Sequence, residues 1–328
     1  MQTTPPSYLG AIRDLYAEAA ATPDSSLCCV AVPPWRMPDL DIPQVMFDMN
    51  YGCGTTVQPR DVPDRGSVLY VGVGGGLELL QFAALTRRAE GVVGIDNVPE
   101  MIARCRDNLR QAQQTNPWLT EDMVSLREGD ALDLPVADGS VQLFAQNCLF
   151  NVFRADELDR ALAEAHRVLG PAGALSMSDP VCQQPIPEAL QADERLRAMC
   201  LSGALPLEAY LDRIVAAGFG TIEVRARRPY RILDPRQFPA LEARLLLESV
   251  EVVAYKTPVP ADGPCIFTGR TATWLGSGDV FDDGKGHVLQ RGIPAAVCDK
   301  TAGALAQRGD PDLVFTPSTW HYHGGGCC

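Results

Sequence analysis

Short apolar runs alternate with helix-periodic stretches between residues 66 and 180. The runs that predict strands are "GSVLYVGVG", "GVVGID", "MVSLREGD", "VQLFAQNCLF" and "GALSMSD". Between them, "PEMIARCRDNLRQAQ" opens with Pro99 at a helix start, and "ADELDRALAEAHRVL" repeats leucine and alanine at helical spacing. Strands that alternate with helices in this way form a parallel sheet covered on both faces. The pattern predicts an α/β chain with a doubly wound, Rossmann-like sheet.

The pattern changes after residue 180. Two helical stretches, "PEALQADERLRAMCLSGA" and "PLEAYLDRIVAAGF", precede "TIEVRARRPYRI" and "SVEVVAYK", which alternate like strands with one exposed face. This predicts a smaller C-terminal α+β substrate domain. Further on, the turn clusters "GSGD" and "DDGKG" predict a small β unit. The predicted organisation is an N-terminal arm with thiols (1–60), the sheet domain (61–180), the substrate domain (181–260), and a β unit with a flexible Cys-Cys tail (261–328).

Composition and charge narrow the class of protein. The chain has 328 residues, 46% of them hydrophobic, enough to bury one large core or two smaller ones. A formal net charge of -13 argues against nucleic acid as a partner, because phosphate contacts need a concentrated basic surface. No run of about 18 apolar residues is present, so we expect no membrane partner and a cytoplasmic location. In that reducing compartment the 11 cysteines start as thiols.

A glycine-rich loop joins the first predicted strand to a helix. In "VLYVGVGGGLELLQFA", Gly72, Gly74 and Gly76 allow a sharp turn and a close approach of ligand to main chain. Twenty residues past Gly76, Asp96 ends the second strand, where a carboxylate can accept both ribose hydroxyls. The alternative for Asp96 is a helix N-cap. A loop of this kind alone is weak evidence for a nucleotide-type cofactor.

The third predicted strand ends in "EGDALDLP", where Asp130 and the backbone at Ala131 can pair with an adenine edge. With the loop and Asp96, this stretch resembles the class I S-adenosylmethionine-dependent methyltransferases over residues 60 to 180. The resemblance implies that the glycine loop faces the methionine end of S-adenosylmethionine, that Asp96 holds the ribose, and that "GDA" lines the adenine. Tyr70 stands where that family often has an acidic residue, so the methionine ammonium is expected to bind differently.

The fold does not identify the group that accepts the methyl, but the positions of the cysteines suggest it. Cys148 follows the fourth strand, at the end of the sheet where open α/β proteins bind ligands. Cys200 ends a helix before small residues, and Cys53 lies between glycines in "NYGCG". These elements converge with "LCC" (Cys28 and Cys29) only if the N-terminal arm folds back across the sheet. The cysteines predicted to be small buried hydrophobes are Cys105, Cys182, Cys265 and Cys298.

Thiolates favour soft, thiophilic centres. Zinc prefers four ligands, often in C-x-x-C pairs, and the sequence has no such pair. Trivalent arsenic is thiophilic and forms a three-coordinate pyramid that keeps a nucleophilic lone pair. Further stretches narrow the resemblance to the arsenite methyltransferases: "NYGCG", "NCLFN", "CLSGAL", "RPYRI", "FDDGKGHVLQRG" and "AVCDKT".

This narrower resemblance implies residue roles. Cys148 and Cys200 match the arsenic-binding pair, Cys53 matches a third thiol that also enters a disulfide, and Cys28 or Cys29 matches its disulfide partner. The implied catalytic set is Cys53, Cys148, Cys200, Cys28 and Cys29. The implied cofactor-binding set is Tyr51, Gly72, Gly74, Gly76, Asp96, Asn97, Asp130, Ala131 and Asn147.

The expected reaction is transfer of methyl groups from S-adenosylmethionine to trivalent arsenic on three thiols, with a disulfide relay reopened by thioredoxin or glutathione. The tail cysteines, Cys327 and Cys328, either collect arsenite on a flexible tether or belong to a disordered or metal-scavenging tail. Two other functions remain open at this point. One is methylation of another small molecule, with structural cysteines; the other is a thiol-rich protein that binds a soft metal without turnover.

Overall fold

The computed structural model describes residues 7–24, 27 and 37–321. The helices are α1 (Tyr8–Ala21), α2 (Gln44–Asp48), α3 (Leu77–Thr86), α4 (Pro99–Gln113), α5 (Ala155–Val168), α6 (Glu188–Gln191), α7 (Glu194–Ala198), α8 (Leu207–Ala216) and α9 (Asp299–Ala306). The strands are β1 (Val68–Val71), β2 (Val92–Asp96), β3 (Val124–Glu128), β4 (Val141–Asn147), β5 (Leu169–Cys182), β6 (Leu205–Pro206), β7 (Thr221–Leu233), β8 (Leu245–Tyr255), β9 (Cys265–Phe267), β10 (Thr271–Trp274), β11 (Val280–Asp282), β12 (Val288–Gln290), β13 (Ala295–Ala296) and β14 (Leu313–Phe315). Short 3-10 turns cover Pro59–Asp61, Glu121–Met123 and Phe150–Val152.

The central sheet has the order β3-β2-β1-β4-β5-β8-β7-β9, with β6 added beside β5. Strands β1 to β5 are parallel, and all four residues of β1 are buried. The chain order reverses where β1 meets β4, which opens a crevice at the carboxyl ends of these strands. The doubly wound sheet predicted from the sequence is confirmed.

Strands β7 and β8 continue this sheet. β8 lies antiparallel to β5 and pairs from Ala174–Tyr255 to Cys182–Leu247, and β7 lies antiparallel to β8. The boundary predicted at residue 180 therefore falls inside β5, and the strands of 181–260 share the sheet of the preceding segment. Helices α6, α7 and α8 lie between β5 and β7 in the chain, with α8 against β5 and α5.

The C-terminal segment carries its own small sheets. β10 pairs with β13 and β14, and β11 pairs with β12 across the predicted "DDGKG" turn. A separate apolar cluster that includes Ala272, Leu289 and Leu305 holds them to α9. The predicted β unit is present in this part of the chain.

The described part of the N-terminal arm folds back over the sheet. Helix α1 packs against α4 and α7, the Tyr16 hydroxyl donates to the carbonyl of Ala198 at 3.1 Å, and Arg104 donates to the carbonyl of Ala20 at 2.8 Å. Such an arrangement is what convergence of the N-terminal thiol segment with the sheet requires. Across the described residues, none of the helices has both the length and the apolar character needed to span a bilayer.

Candidate active site

The glycine loop between β1 and α3 has the conformation that its sequence predicts. Gly72, Gly74 and Gly76 have φ angles of 83°, 50° and 87°, in the left-handed region that side-chain-bearing residues rarely adopt. Gly76 is the residue that caps the start of α3. The loop therefore presents main chain without Cβ atoms to the crevice.

Asp96 ties this loop to the end of β2. One carboxylate oxygen accepts the N–H of Val73 at 2.9 Å, and the other accepts the N–H of Val98 at 3.0 Å. Burial raises the pKa of Asp96 to about 6, against the lowering effect of these N–H donors. The N-cap residue of α4 is Val98, and it has no side-chain cap bond, so the alternative prediction of Asp96 as the N-cap is wrong. The ribose role stays a prediction.

Three adjoining cavities that share Gly72 follow the loop and are together called the cleft. One end is lined by Asn97, Asp130 and Ala131, the middle by Gly72 and Asp96. The other end is lined by Tyr51 and Asn147, together with Gly74 and Cys148. At the first end, Asp130 accepts the N–H of Leu132 at 2.9 Å, which fixes the "GDA" turn. Eight of the nine residues of the predicted cofactor-binding set therefore line this cleft. The ninth, Gly76, packs against Cys105 and Met46 instead.

Helix α1 forms the outer wall of the cleft. Leu9, Ile12 and Arg13 line the end near Asp130, and Tyr16 lines the end near Cys148. The Tyr16 ring meets the Tyr51 ring edge to face, with 6.0 Å between centroids. Sequence reasoning missed these α1 residues, because the helix is remote in the chain from the glycine loop.

The segment that carries Cys53 is clamped by Asn147. The Asn147 side chain accepts the N–H of Cys53 at 3.0 Å and donates to the carbonyl of Gly54 at 2.9 Å. A Cβ on Gly52 would overlap the Asn147 amide, and one on Gly54 would overlap the hydroxyl of Ser178. The glycines on each side of Cys53 are therefore required by close packing, with both of their φ angles outside the positive region.

Cys148 and Cys200 are in direct contact. The Cys200 thiol donates to the carbonyl of Cys148 at 2.7 Å, and both residues are buried. Both have positive φ, 63° for Cys148 and 56° for Cys200, a strained conformation for residues other than glycine and asparagine. Nearby, Gly203 packs closely on the carbonyl of Asn151, which a Cβ at residue 203 would overlap.

Ser178 links the segments of Cys148 and Cys53. Its carbonyl accepts the N–H of Cys148 at 2.7 Å, and its hydroxyl lies 3.5 Å from the Cys53 sulfur. These contacts connect the segments of Cys53, Cys148 and Cys200, of which Cys148 lines the cleft. Within the part of the chain that the structure describes, no three Cys, His, Asp or Glu side chains are already arranged as ligands around a metal ion.

Two buried tyrosine-carboxylate pairs lie beside these segments. The Glu78 carboxylate accepts three hydroxyl hydrogen bonds. Tyr70 donates at 2.9 Å, Thr55 at 3.0 Å and Thr56 at 2.8 Å. Burial, first, and the Glu78 carboxylate raise the pKa of Tyr70 well above its usual value. Tyr70, which replaces the family's acidic residue, therefore faces a carboxylate that comes from the first turn of α3.

The second pair is Tyr210 and Asp179. The Tyr210 hydroxyl donates to Asp179 at 2.8 Å, and the Gln146 amide donates to the same oxygen. Burial raises the pKa of Tyr210 well above its usual value, Asp179 adds to the rise, and the sulfurs of Cys53 and Cys148 are close enough to contribute. The only sequence signal for Glu78 and Asp179 is a carboxylate inside an otherwise apolar run.

The remaining cysteines lie elsewhere. Cys105 and Cys182 are buried, and burial raises the pKa of Cys182 to about 12 and that of Cys105 further. Cys182 donates to the carbonyl of Ala204 at 3.3 Å, and Cys298 is also buried, in agreement with the prediction, whereas Cys265 is partly exposed. The predictions for Cys28, Cys29, Cys327 and Cys328 lie outside the described residues.

The sheet order, the glycine loop held by Asp96 and the cleft at the strand ends are features of the class I S-adenosylmethionine-dependent methyltransferase fold. Residues 69–177 match the family model described as a methyltransferase domain. Residues 69–177 therefore form a methyltransferase domain, and the chain is similar to the arsenite methyltransferases, as the sequence predicts.

Two curated relatives carry that name. The arsenite methyltransferase of Halobacterium salinarum is 31% identical over 177 residues, 54% of this chain and 43% of the relative, so the match spans less than half of that protein. The arsenite methyltransferase of Aquipseudomonas alcaligenes is 29% identical over 290 residues, 84% of this chain and 80% of the relative. The crystal structure of an arsenic(III) S-adenosylmethionine methyltransferase from Chlamydomonas reinhardtii shares the fold, with a TM-score of 0.60, 23% identity, and coverage of 86% of this chain and 95% of that one.

Proposed function

We propose that this methyltransferase transfers methyl groups from S-adenosylmethionine to trivalent arsenic held by protein thiols. The observation that carries the proposal is the contact between Cys200 and the carbonyl of Cys148, at the end of the cleft lined by Cys148. The names of the relatives support the same substrate. Soft thiol ligands suit arsenic better than they suit hard, oxygen-liganding ions.

The residues of the cleft fit the cofactor. A carboxylate at the end of β2 suits ribose hydroxyls, the glycine loop leaves room for main-chain approach, and Asp130 with Ala131 offers hydrogen-bonding groups for adenine. Tyr51 and Asn147 would flank the methionine end. When bound, S-adenosylmethionine supplies an electrophilic methyl group on a sulfonium and leaves as S-adenosylhomocysteine.

In this proposal Cys148, Cys200 and Cys53 exchange with the hydroxyls of arsenite, forming three As–S bonds and releasing three waters. The arsenic lone pair then forms the As–C bond while the methyl–sulfur bond breaks. No general base is needed, since the lone pair carries no proton. The chain contributes positioning, which can supply about 7 to 11 kcal/mol when reacting atoms are held close.

Methylation leaves arsenic formally pentavalent, so two electrons are needed to return it to the trivalent state. In the proposed relay, the thiol of Cys28 or Cys29 loses its proton and bonds the arsenic-bound sulfur of Cys53. The As–S bond to Cys53 breaks and leaves its electron pair on arsenic, and thioredoxin or glutathione then reduces the disulfide. One contact supports the relay: the N–H of Asp24, four residues before Cys28, donates to the Tyr51 hydroxyl at 3.4 Å, two residues before Cys53.

Incubation with arsenite, S-adenosylmethionine and a thiol, followed by arsenic speciation, tests the function. We expect methylated arsenic from the wild type, and at least about 100-fold less from Cys148→Ser and Cys200→Ser, because the reacting atom is then misplaced. Cys182→Ser is the matched control, since that buried thiol also donates to a backbone carbonyl. Turnover that survives in Cys148→Ser and Cys200→Ser would favour a different small-molecule acceptor. Bound arsenic without consumption of S-adenosylmethionine would favour a binding protein.

The relay and the tail are tested separately. Cys28→Ser combined with Cys29→Ser should allow a first turnover and stop later ones, and unchanged multiple turnover would contradict the relay. For the tail, we propose that Cys327 and Cys328 collect arsenite for the site. Deletion of residues 324–328 should then slow methylation at low arsenite and leave it unchanged at saturating arsenite; equal rates at both concentrations would contradict that role.

A further inference from the structure

A second pair of thiols lies outside the cleft. Cys265 begins β9, and Cys298 is the residue before α9; β9 and α9 pack against each other. The two side chains are within hydrogen-bonding contact, and both are free thiols. In the sheet, β9 lies three strands beyond β5, which at about 4.8 Å per strand is roughly 14 Å. The pair is therefore separate from Cys53, Cys148 and Cys200.

Polar side chains surround both sulfurs. The Lys300 ammonium contacts the Cys265 sulfur and is held by the carboxylate of Asp262 and the carbonyl of Gly263, each at 2.7 Å. The Cys298 sulfur lies 3.1 Å from the hydroxyl of Thr301.

That hydroxyl connects Cys298 to a histidine. The Thr301 oxygen lies 3.3 Å from the Nε2 atom of His287, and the other ring nitrogen of His287 lies 2.7 Å from Asp283. These contacts fix Cys298, which is only 3% exposed, while Cys265 is partly exposed. A ligand can thus reach the pair from the Cys265 side.

We propose that Cys265 and Cys298 form a second site for trivalent arsenic, one that takes a monosubstituted trivalent arsenical as a dithiol chelate. Two thiols displace the two hydroxyls of such a compound: two As–S bonds form, two As–O bonds break, and two waters leave with the thiol protons. Arsenic stays trivalent, so no oxidant or reductant is needed. The choice of arsenic over another thiophilic centre rests on the proposed function.

The alternative for two adjacent thiols is a redox pair. Burial and the neighbouring Cys298 sulfur raise the pKa of the Cys265 thiol, and Lys300 opposes this only in part. Cys265 is then a protonated thiol at neutral pH, and protonated thiols are poor nucleophiles in disulfide exchange. Exchange of a thiol with an arsenic hydroxyl is not limited by the protonation of the thiol, because the thiol proton leaves as part of the water that is released.

Phenylarsine oxide, whose single aryl group leaves two positions for thiols, is the probe. In excess monothiol, native mass spectrometry should show one fewer bound arsenical for Cys265→Ser, for Cys298→Ser and for the double variant than for the wild type. Cys182→Ser should bind as the wild type does. Wild-type stoichiometry in the double variant would overturn the proposal.

A second readout needs no variant. Phenylarsine oxide should protect Cys265 of the wild type from alkylation at least about tenfold, as mapped by peptide mass spectrometry, because the chelated sulfur is no longer a free nucleophile. No protection of Cys265 would overturn the site. Neither readout uses S-adenosylmethionine, so a chain that fails to methylate arsenite can still pass both.

Discussion

The Cys200 thiol donates a hydrogen bond to the main-chain carbonyl of Cys148, with 2.7 Å between sulfur and oxygen. The contact spans 52 residues of sequence and joins the end of β4 to the end of α7. It means that the thiol of Cys200 has a structural role beside the chemical role proposed for it.

These two roles can be separated by substitution. Cys200→Ser keeps a donor for the Cys148 carbonyl and should retain the free energy of unfolding to within about 1 kcal/mol, while arsenic methylation is lost. Cys200→Ala loses the donor and should cost about 1 to 3 kcal/mol, since the buried carbonyl is left without that partner. Urea denaturation measures the first quantity, and arsenic speciation the second. Equal stability of the two variants would contradict the structural role.

The packing of Gly54 against Ser178 predicts an effect on turnover. Gly54→Ala places a methyl group on the Ser178 hydroxyl and displaces the neighbouring Cys53. Arsenic methylation should fall at least about tenfold, because small misplacements near the reacting atoms are costly. Binding of S-adenosylmethionine, measured by calorimetry, should stay unchanged, since Gly54 does not line the cleft. Gly303→Ala, in α9 with nothing near its Cβ, is the control and should be fully active.

Asp96 predicts how cofactor binding depends on pH. In the proposed function, ribose hydroxyls donate to the ionised carboxylate of Asp96, whose pKa in the free protein is raised by burial to about 6. Cofactor binding must therefore release a proton below that pH, and affinity should fall by up to about tenfold per pH unit on going below pH 6, and level off above it. Calorimetry across that range is the measurement. Asp96→Asn should bind more weakly with little pH dependence, and the exposed Asp107→Asn should behave as the wild type does; a wild-type affinity that is flat through pH 6 would contradict the role of Asp96.

Glu78 and Tyr70 predict a difference in stability. Tyr70→Phe removes one hydrogen bond to a buried carboxylate and should cost about 1 to 3 kcal/mol of unfolding free energy. Glu78→Gln should cost at least as much, because the Thr55 and Thr56 donors also lose their charged acceptor. The exposed Glu90→Gln should change stability by less than about 0.5 kcal/mol. If Tyr70→Phe were as stable as the wild type, the hydrogen bond to Glu78 would make no net contribution to the free energy of unfolding.

The sequence predicted the parts of the fold that depend on local periodicity. Strands β1 to β5, the start of α4 at Pro99 and the positive-φ glycines at 72, 74 and 76 follow from patterns a few residues long. The continuation of the sheet through β8 and β7 did not follow, because pairing between distant strands has no local signal. The same holds for the residues of the site. Asp96 and Cys148 were predictable because they lie at strand ends. Tyr210 and Glu251 were not, because only the fold brings them to the site: Glu251 accepts the N–H of Thr55, 196 residues away.

The strain at the thiols was also beyond prediction. Positive φ is favoured by glycine and asparagine, and nothing in "NCLFN" or "RAMCLSG" marks the cysteine itself as the residue that adopts it. The conformation arises from tertiary contacts that hold Cys148 to Ser178 and Cys200 to Cys148.

The four hydrogen bonds that Glu78 accepts also limit how far Cys53 can move. Thr55 and Thr56 are bonded to the Glu78 carboxylate of α3. If they moved away, that buried carboxylate would lose most of its hydrogen-bond donors. Cys53 is only two residues from that anchor, and two residues of extended chain reach at most about 7 Å. The sulfur of Cys53 can therefore move only a short distance while these bonds are intact. In the proposed relay, the disulfide must therefore form within that distance of the present position of Cys53.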